Sequence, residues 1–150
     1  VASEKTRILR FSRFHPGMTR RFTFLGFEFY WKEDRQGVPR VKRRTARKKW
    51  PRACQRIKAW IQANRHVPGK AFFDGLKARL RGHYRDYGVH GNSHALSRFF
   101  AWAMACAFKW LNRRGGKRRS FSWQRFTRLL DAVPIARPRL TEVSRRRVYA

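Results

Sequence analysis

The sequence predicts a mainly α protein: a short antiparallel β segment, then a three-helix bundle with a short fourth helix. Two observations carry this. The first 44 residues read as strands, aromatic-rich and broken by turn residues. From about Arg47 the apolar residues switch to helical spacing, and short links containing Gly or Pro separate the periodic stretches.

Within the first part, Arg7 to Phe11 is a short mixed run. Phe22 to Trp31, FTFLGFEFYW, reads as one strand that is nearly apolar on both faces. Thr23, Leu25, Phe27, Phe29 and Trp31 line one side; Phe22, Phe24 and Tyr30 line the other. Such a strand needs cover on both faces. Two or three strands cannot supply it alone. The cover is expected from the helices, from a partner, or from a larger domain of which Val1 is a cut edge. Asp34 to Gly37 (DRQG) is the expected turn, and Val38 to Arg44 the returning strand.

In the second part, Trp50, Cys54, Ile57 and Ile61 are spaced by 4, 3 and 4 residues, one stripe of a helix that begins near Pro51 and ends by Val67-Pro68-Gly69. Phe73, Leu76, Leu80, Tyr84 and Tyr87 give the stripe of a second helix over 70–87, stopped by Gly88. The third begins after Gly91 with Asn92 or Ser93 as N-cap. Its wide apolar face holds Leu96, Phe99, Phe100, Ala103, Cys106, Ala107, Trp110 and Leu111. A fourth is expected over 122–131, with Trp123, Phe126, Leu129 and Leu130 inward, and 133–139 should be extended.

Charge bounds the function. There are 38 Lys and Arg against 8 Asp and Glu, a formal charge of +30. A compact chain this basic repels itself and favours a polyanionic partner, with nucleic acid ahead of a membrane surface. Neither a membrane-spanning apolar run nor a signal peptide is expected. The 13 Phe, 6 Trp and 4 Tyr set it apart from a disordered basic tail. Cys54 and Cys106 fall on apolar helix faces, as buried thiols of a reducing compartment.

Catalytic patterns are missing. Only Glu33 and Asp34 are adjacent acids, in an expected exposed turn, so a metal-dependent site is not expected. No phosphate-cradling glycine loop is present. His83, His90 and His94 would straddle a helix end, a turn and a helix start, which suits turn or phosphate contacts better than a metal. The positive chemistry is binding. The candidate phosphate contacts are Arg43, Arg44, Arg47, Lys48 and Lys49 at the strand-to-helix junction; Arg79, Arg81 and Arg85, expected on one half of the second helix; His90 at the turn; and Arg113, Arg114, Lys117, Arg118 and Arg119 around Gly115-Gly116. Backbone and shape recognition of folded RNA is the economical reading.

A set of ordered motifs narrows this. EKTRI at 4–8, FLGF at 24–27, LRGHYRDYGVHGN at 80–92, ALSRF at 95–99, KWLNRR at 109–114, SFSWQRF at 120–126 and PRL at 138–140 follow one another along nearly the whole chain. In combination they resemble the C-terminal part of group II intron reverse transcriptases, the intron-encoded maturases. The chain departs from that pattern at His83 and Asp86, where the family commonly carries aromatics.

The resemblance implies a layout and a role. Residues 1–44 would be the last strands of a reverse transcriptase palm, with Phe24, Leu25, Gly26 and Phe27 as the hairpin that grips the primer end. Residues 45–140 would be the helical thumb and maturase domain, and 141–150 a basic tail. The implied partners are group II intron RNA, the template-primer duplex and the missing fingers and palm. The family's catalytic Tyr-Ala-Asp-Asp motif is not in this sequence, so polymerase activity is not expected of these residues alone. No cofactor is expected in this chain; Mg2+ belongs to the full-length polymerase. The implied location is the bacterial cytoplasm, with the nucleoid or a ribonucleoprotein. A basic structural protein of a ribonucleoprotein is the alternative, against which the Trp content and the motif order count.

Overall fold

The computed structural model describes residues 11–12, 14, 21–115 and 121–142. The Arg7–Phe11 run apart from Phe11, the bases Lys117, Arg118 and Arg119, and the tail beyond Glu142 lie outside these residues. Three strands, β1 (Arg21–Phe24), β2 (Phe27–Glu33) and β3 (Pro39–Thr45), form an antiparallel meander in the order β1-β2-β3. Four helices follow: α1 (Lys49–Ala63), α2 (Gly69–Tyr87), α3 (Ser93–Leu111) and α4 (Trp123–Ala132). This is the expected class, a short β segment and then a helical bundle with a fourth helix.

The main departure is FTFLGFEFYW, which is not one strand. Leu25 (φ 47°) and Gly26 (φ 85°) both take positive φ. Two successive positive φ values in a two-residue loop match the twist of a tight hairpin. The reversal sets Phe24 opposite Phe27 and Phe22 opposite Phe29. Residues expected on opposite faces therefore share one. Phe22 and Phe29 stack at 5.0 Å, and Phe11 lies 4.8 Å from Phe22 and 5.3 Å from Trp31. Register places Arg21, Glu28, Tyr30, Lys32, Arg40, Lys42 and Arg44 on the other face, which is basic. Only one face is apolar, so the requirement for cover on both falls away.

The expected turn at Asp34–Gly37 is present. Asp34 accepts from the backbone of Gln36 (2.9 Å) and Val38 (3.0 Å), and from Arg40 at 3.1 Å. The Val38 N–H and then Arg40 hold its carboxyl below the usual range.

The core lies between α1, α2 and α3, closed by α4. Cys54, Ile57, Ile61, Leu76, Leu80, Tyr84, Leu96, Ala103, Cys106 and Ala107 are buried as their spacing predicts. Burial pushes both thiols and the Tyr84 phenol upward. Three expectations need correction. Phe72, not anticipated, is wholly buried, stacked 5.6 Å from Trp60 of α1. Trp110 is only half-buried. Trp123, expected inward, is 52% exposed, because Phe126 and Leu130 fill the space under α4. The approach of α1 to α2 depends on Gly75: a Cβ there would stand 2.7 Å from the Trp60 ring.

Three junctions tie the parts together. The Ala46 N–H donates to Gly26 O (2.9 Å), and Phe27 packs 5.5 Å from Tyr87, so the hairpin tip docks at the end of α2. Asn92, expected as a capping side chain, makes no capping bond. Its buried amide instead accepts from Thr45 N (2.9 Å) and donates to Tyr87 O (2.9 Å), joining β3 to the α2–α3 corner. Beyond α4, Tyr84 donates to Ala136 O (3.0 Å), and the N–H groups of Thr141 and Glu142 both donate to Gly88 O. A Cβ on Gly88 would meet the Tyr84 carbonyl and stand 2.5 Å from Thr141 Oγ1, so glycine suits both the end of α2 and this returning segment.

Candidate nucleic-acid interface

A groove of about 400 Å³ lies between α1 and α2, with Phe99 of α3 in its lining. Lys49, Arg52 and Arg56 recur at spacings of 3 and 4, which puts them on one ridge of α1. Arg79 faces them from α2, its guanidinium carbon 4.2 Å from the Trp60 ring centre. His83, Tyr87 and Phe99 form an aromatic floor, and Asp86 stands at one end. His83 lies 3.7 Å from Phe99, interplanar angle 17°, and 4.8 Å from Tyr87. Imidazole thus takes a stacking place. Burial depresses its pKa to about 4, against the opposing pull of Asp86, so the ring is neutral at pH 7.

A second groove, about 730 Å³, lies between the basic face of the sheet and the starts of α1 and α3. Arg21, Arg44, Arg47, His94 and Arg98 line it. Arg44 lies 5.0 Å from the Tyr30 ring and Arg98 5.0 Å from Trp50. Glu28 pairs with both Arg21 and Arg44, so part of this charge is answered internally. Arg47, Lys48 and Lys49 are exposed at the N-terminus of α1, whose first turn holds no acid. The positive end of that helix dipole is therefore reinforced.

The structure does not group the sequence candidates as expected. Arg79 faces the first groove, but at 100° per residue Arg81 and Arg85 stand about 200° and 240° round the helix from it. Those two are exposed elsewhere, and Arg85 lies 3.8 Å from Asp86. Arg114 turns inward: it donates to Arg65 O and to Val67 O (2.8 Å), fastening the end of α3 to the α1–α2 link. Arg113 stays exposed, and it and Arg65 lie 5.2 and 5.4 Å from the Trp110 ring. Arg43 and His90 both engage Glu142. Phe24 and Leu25, 57% and 81% exposed, project at the hairpin tip beside Gly26 and Phe27.

Sequence reasoning passed over Arg52, Arg56, Arg21 and Arg98 as site residues. The signal for the first two was the 3–4 spacing with Lys49, flanking the Cys54–Ile57 stripe. His83, His90 and His94 line three different clefts. Among the described residues no group of three His, Cys, Asp or Glu is placed to hold a metal ion. No described helix is long and apolar enough to cross a membrane. Comparison with known protein families, with curated proteins and with solved structures finds no match.

Proposed function

We propose that this chain is an RNA-binding module of the maturase and thumb type, acting on group II intron RNA to assist its folding and splicing. The observation that carries the binding role is the α1–α2 groove. Four cations, Lys49, Arg52, Arg56 and Arg79, border an aromatic floor and face one acid, Asp86. A polyanion answers the charge, since phosphate contacts and counterion release supply most of such affinity. The half-buried rings of His83 and Tyr87 offer stacking surface, with Phe99 buried beneath His83. The family assignment is supported by the ordered motifs and by two features of their folding. FLGF makes a hairpin with an exposed apolar tip, where Leu25 takes a left-handed conformation despite its steric cost. LRGHYRDYGVHGN makes the corner on which the sheet, α2, α3 and the returning segment converge.

In a full-length reverse transcriptase the same groove and tip would hold the template-primer duplex beside the palm, whose Mg2+ would serve the chemistry there. The cytoplasmic, ribonucleoprotein-associated location belongs to this proposal. Filter binding with a folded group II intron RNA and with bulk RNA of equal length tests it. Preference for the intron RNA is expected. Equal affinity would favour a general basic protein of a ribonucleoprotein and overturn the maturase reading.

A further inference from the structure

Both oxygens of the Glu142 carboxylate are held by groups drawn from two distant places. Arg43 of β3 donates to Oε1. The backbone N–H of His90 donates to Oε2 at 2.7 Å, and His90 Nδ1 lies 2.9 Å from the same oxygen. The chain position of these donors is set independently of Glu142. Register fixes Arg43 opposite Phe29, and the α2–α3 corner fixes His90 between Gly88 and Gly91. The result is a preformed pair of donor groups, one for each oxygen of a singly charged anion. It holds the Glu142 carboxyl at a pKa of about 2, mainly through the His90 N–H and ring and then through Arg43, against burial.

A phosphodiester makes the same demand. It carries one negative charge over two non-bridging oxygens, and guanidinium binds both anions with the same charge-assisted geometry. There is room for one to arrive. A cleft of about 390 Å³ opens beside Arg43 and His90, lined also by Phe29, Val41, Lys42 and Gly91. The side chains of Glu142 and Arg43 are 29% and 34% exposed, so exchange requires no unfolding. Glu142 holds the place as a tethered anion at high effective concentration. A nucleic-acid backbone, unlike a lone carboxylate, brings neighbouring charges that Lys42, at the same cleft, also attracts.

We propose that Arg43 and His90 form an anion seat of the phosphodiester class, occupied in the free chain by Glu142 as an internal stand-in that a nucleic-acid backbone displaces. This rests on the nucleic-acid-binding reading above. The seat lies outside the α1–α2 groove and makes the 133–142 segment responsive to nucleic acid: losing the carboxylate leaves that segment held at the corner by Thr141 and the Gly88 carbonyl.

The test uses the whole chain and a fluorescent single-stranded oligouridylate, with affinity measured by anisotropy across a salt series. Glu142→Gln keeps the length of the side chain and removes its charge. This variant should bind about two- to fivefold more tightly, the scale of one exposed ion pair. Its logarithmic salt slope should stay that of the wild type, since the same phosphate fills the seat in both. Adding Arg43→Gln should cancel the gain in affinity and lower the slope by about 0.7, one phosphate on a single strand. Unchanged affinity in Glu142→Gln overturns the proposal. Should Glu142→Gln fail to fold, amide NMR of the wild-type chain decides: oligouridylate should shift the His90 and Glu142 amides together, and still amides overturn the proposal. Should the oligomer not bind at all, the nucleic-acid reading fails, and millimolar inorganic phosphate replaces it as the probe. A phosphate-induced shift of the His90 amide then upholds the seat, and its absence refutes it.

Discussion

In the bundle, Ile61, Phe72, Leu76, Leu80 and Phe126 have no exposed surface; in the sheet, no residue of the three strands is buried. The bundle closes on itself because its helices carry one apolar stripe each and enclose what they bring. The sheet has an aromatic face that is only partly covered among the described residues, and a basic face opposite. Its position is set at its junctions, through Asn92, Ala46 and Tyr87, rather than by a core of its own. The charge divides along the same line. In the sheet and the segment docked on it, Glu28, Asp34 and Glu142 each pair with arginine. The bundle's Asp74, Asp86 and Asp131 pair with bases too, but the groove cations Lys49, Arg52 and Arg56 border Asp86 alone, which Arg85 already engages. The part that holds its own fold is thus the part whose charge is least answered from within.

Paired truncations break this comparison most sharply. Phe72→Ala should destabilise the chain by about 3–5 kcal/mol, the range for a fully buried aromatic. Phe29→Ala, at a half-covered position of β2, should cost about half as much, in proportion to the apolar area removed from water. Chemical denaturation of the two variants checks this. Equal losses would mean that the sheet is as much core as the bundle.

Acid separates the two regions by smaller effects. His83, in the bundle, has a folded pKa of about 4 against an ordinary value of 6.5. Below 6.5 the unfolded chain takes up a proton that the folded chain refuses. The stability associated with neutral His83 is therefore complete above pH 6.5 and is lost as pH falls toward 4. Glu142, at the sheet junction, has a folded value of about 2 against 4.5. Its contribution is complete above pH 4.5 and is lost as pH falls toward 2. Melting temperatures across pH should show His83→Phe flattening the upper window and leaving the lower one in place. A profile unchanged between pH 6.5 and 4 in His83→Phe would mean that the imidazole titrates freely.

The bundle was legible because its rule is local. The 4-3-4 spacing of Trp50, Cys54, Ile57 and Ile61 dictates a shared face whatever packs against it. FTFLGFEFYW was not legible from alternation, since a strand that reverses in two residues keeps apolar residues coming at the same rate. Leu-Gly lacks the Asn-Gly signature of such turns; the hairpin there was implied only by the resemblance carried by FLGF. The candidate site was legible by type and not by grouping. Arg114 reaches Val67 across 47 residues and Arg43 reaches Glu142 across 99, distances over which sequence gives no hint of who meets whom. Trp110 shows the same limit: its stripe position suggested core, yet two arginines lie beside its ring at the surface.

The most direct test of the binding role compares the wild-type chain with the triple variant Arg52→Gln, Arg56→Gln and Arg79→Gln. RNA affinity is measured across a salt series, with helix content followed by circular dichroism. Losing three phosphate contacts should weaken binding and reduce the logarithmic salt slope by about 2 to 3, with helix content unchanged. An intact fold with the wild-type affinity and slope would contradict the assignment of the α1–α2 groove as the nucleic-acid interface.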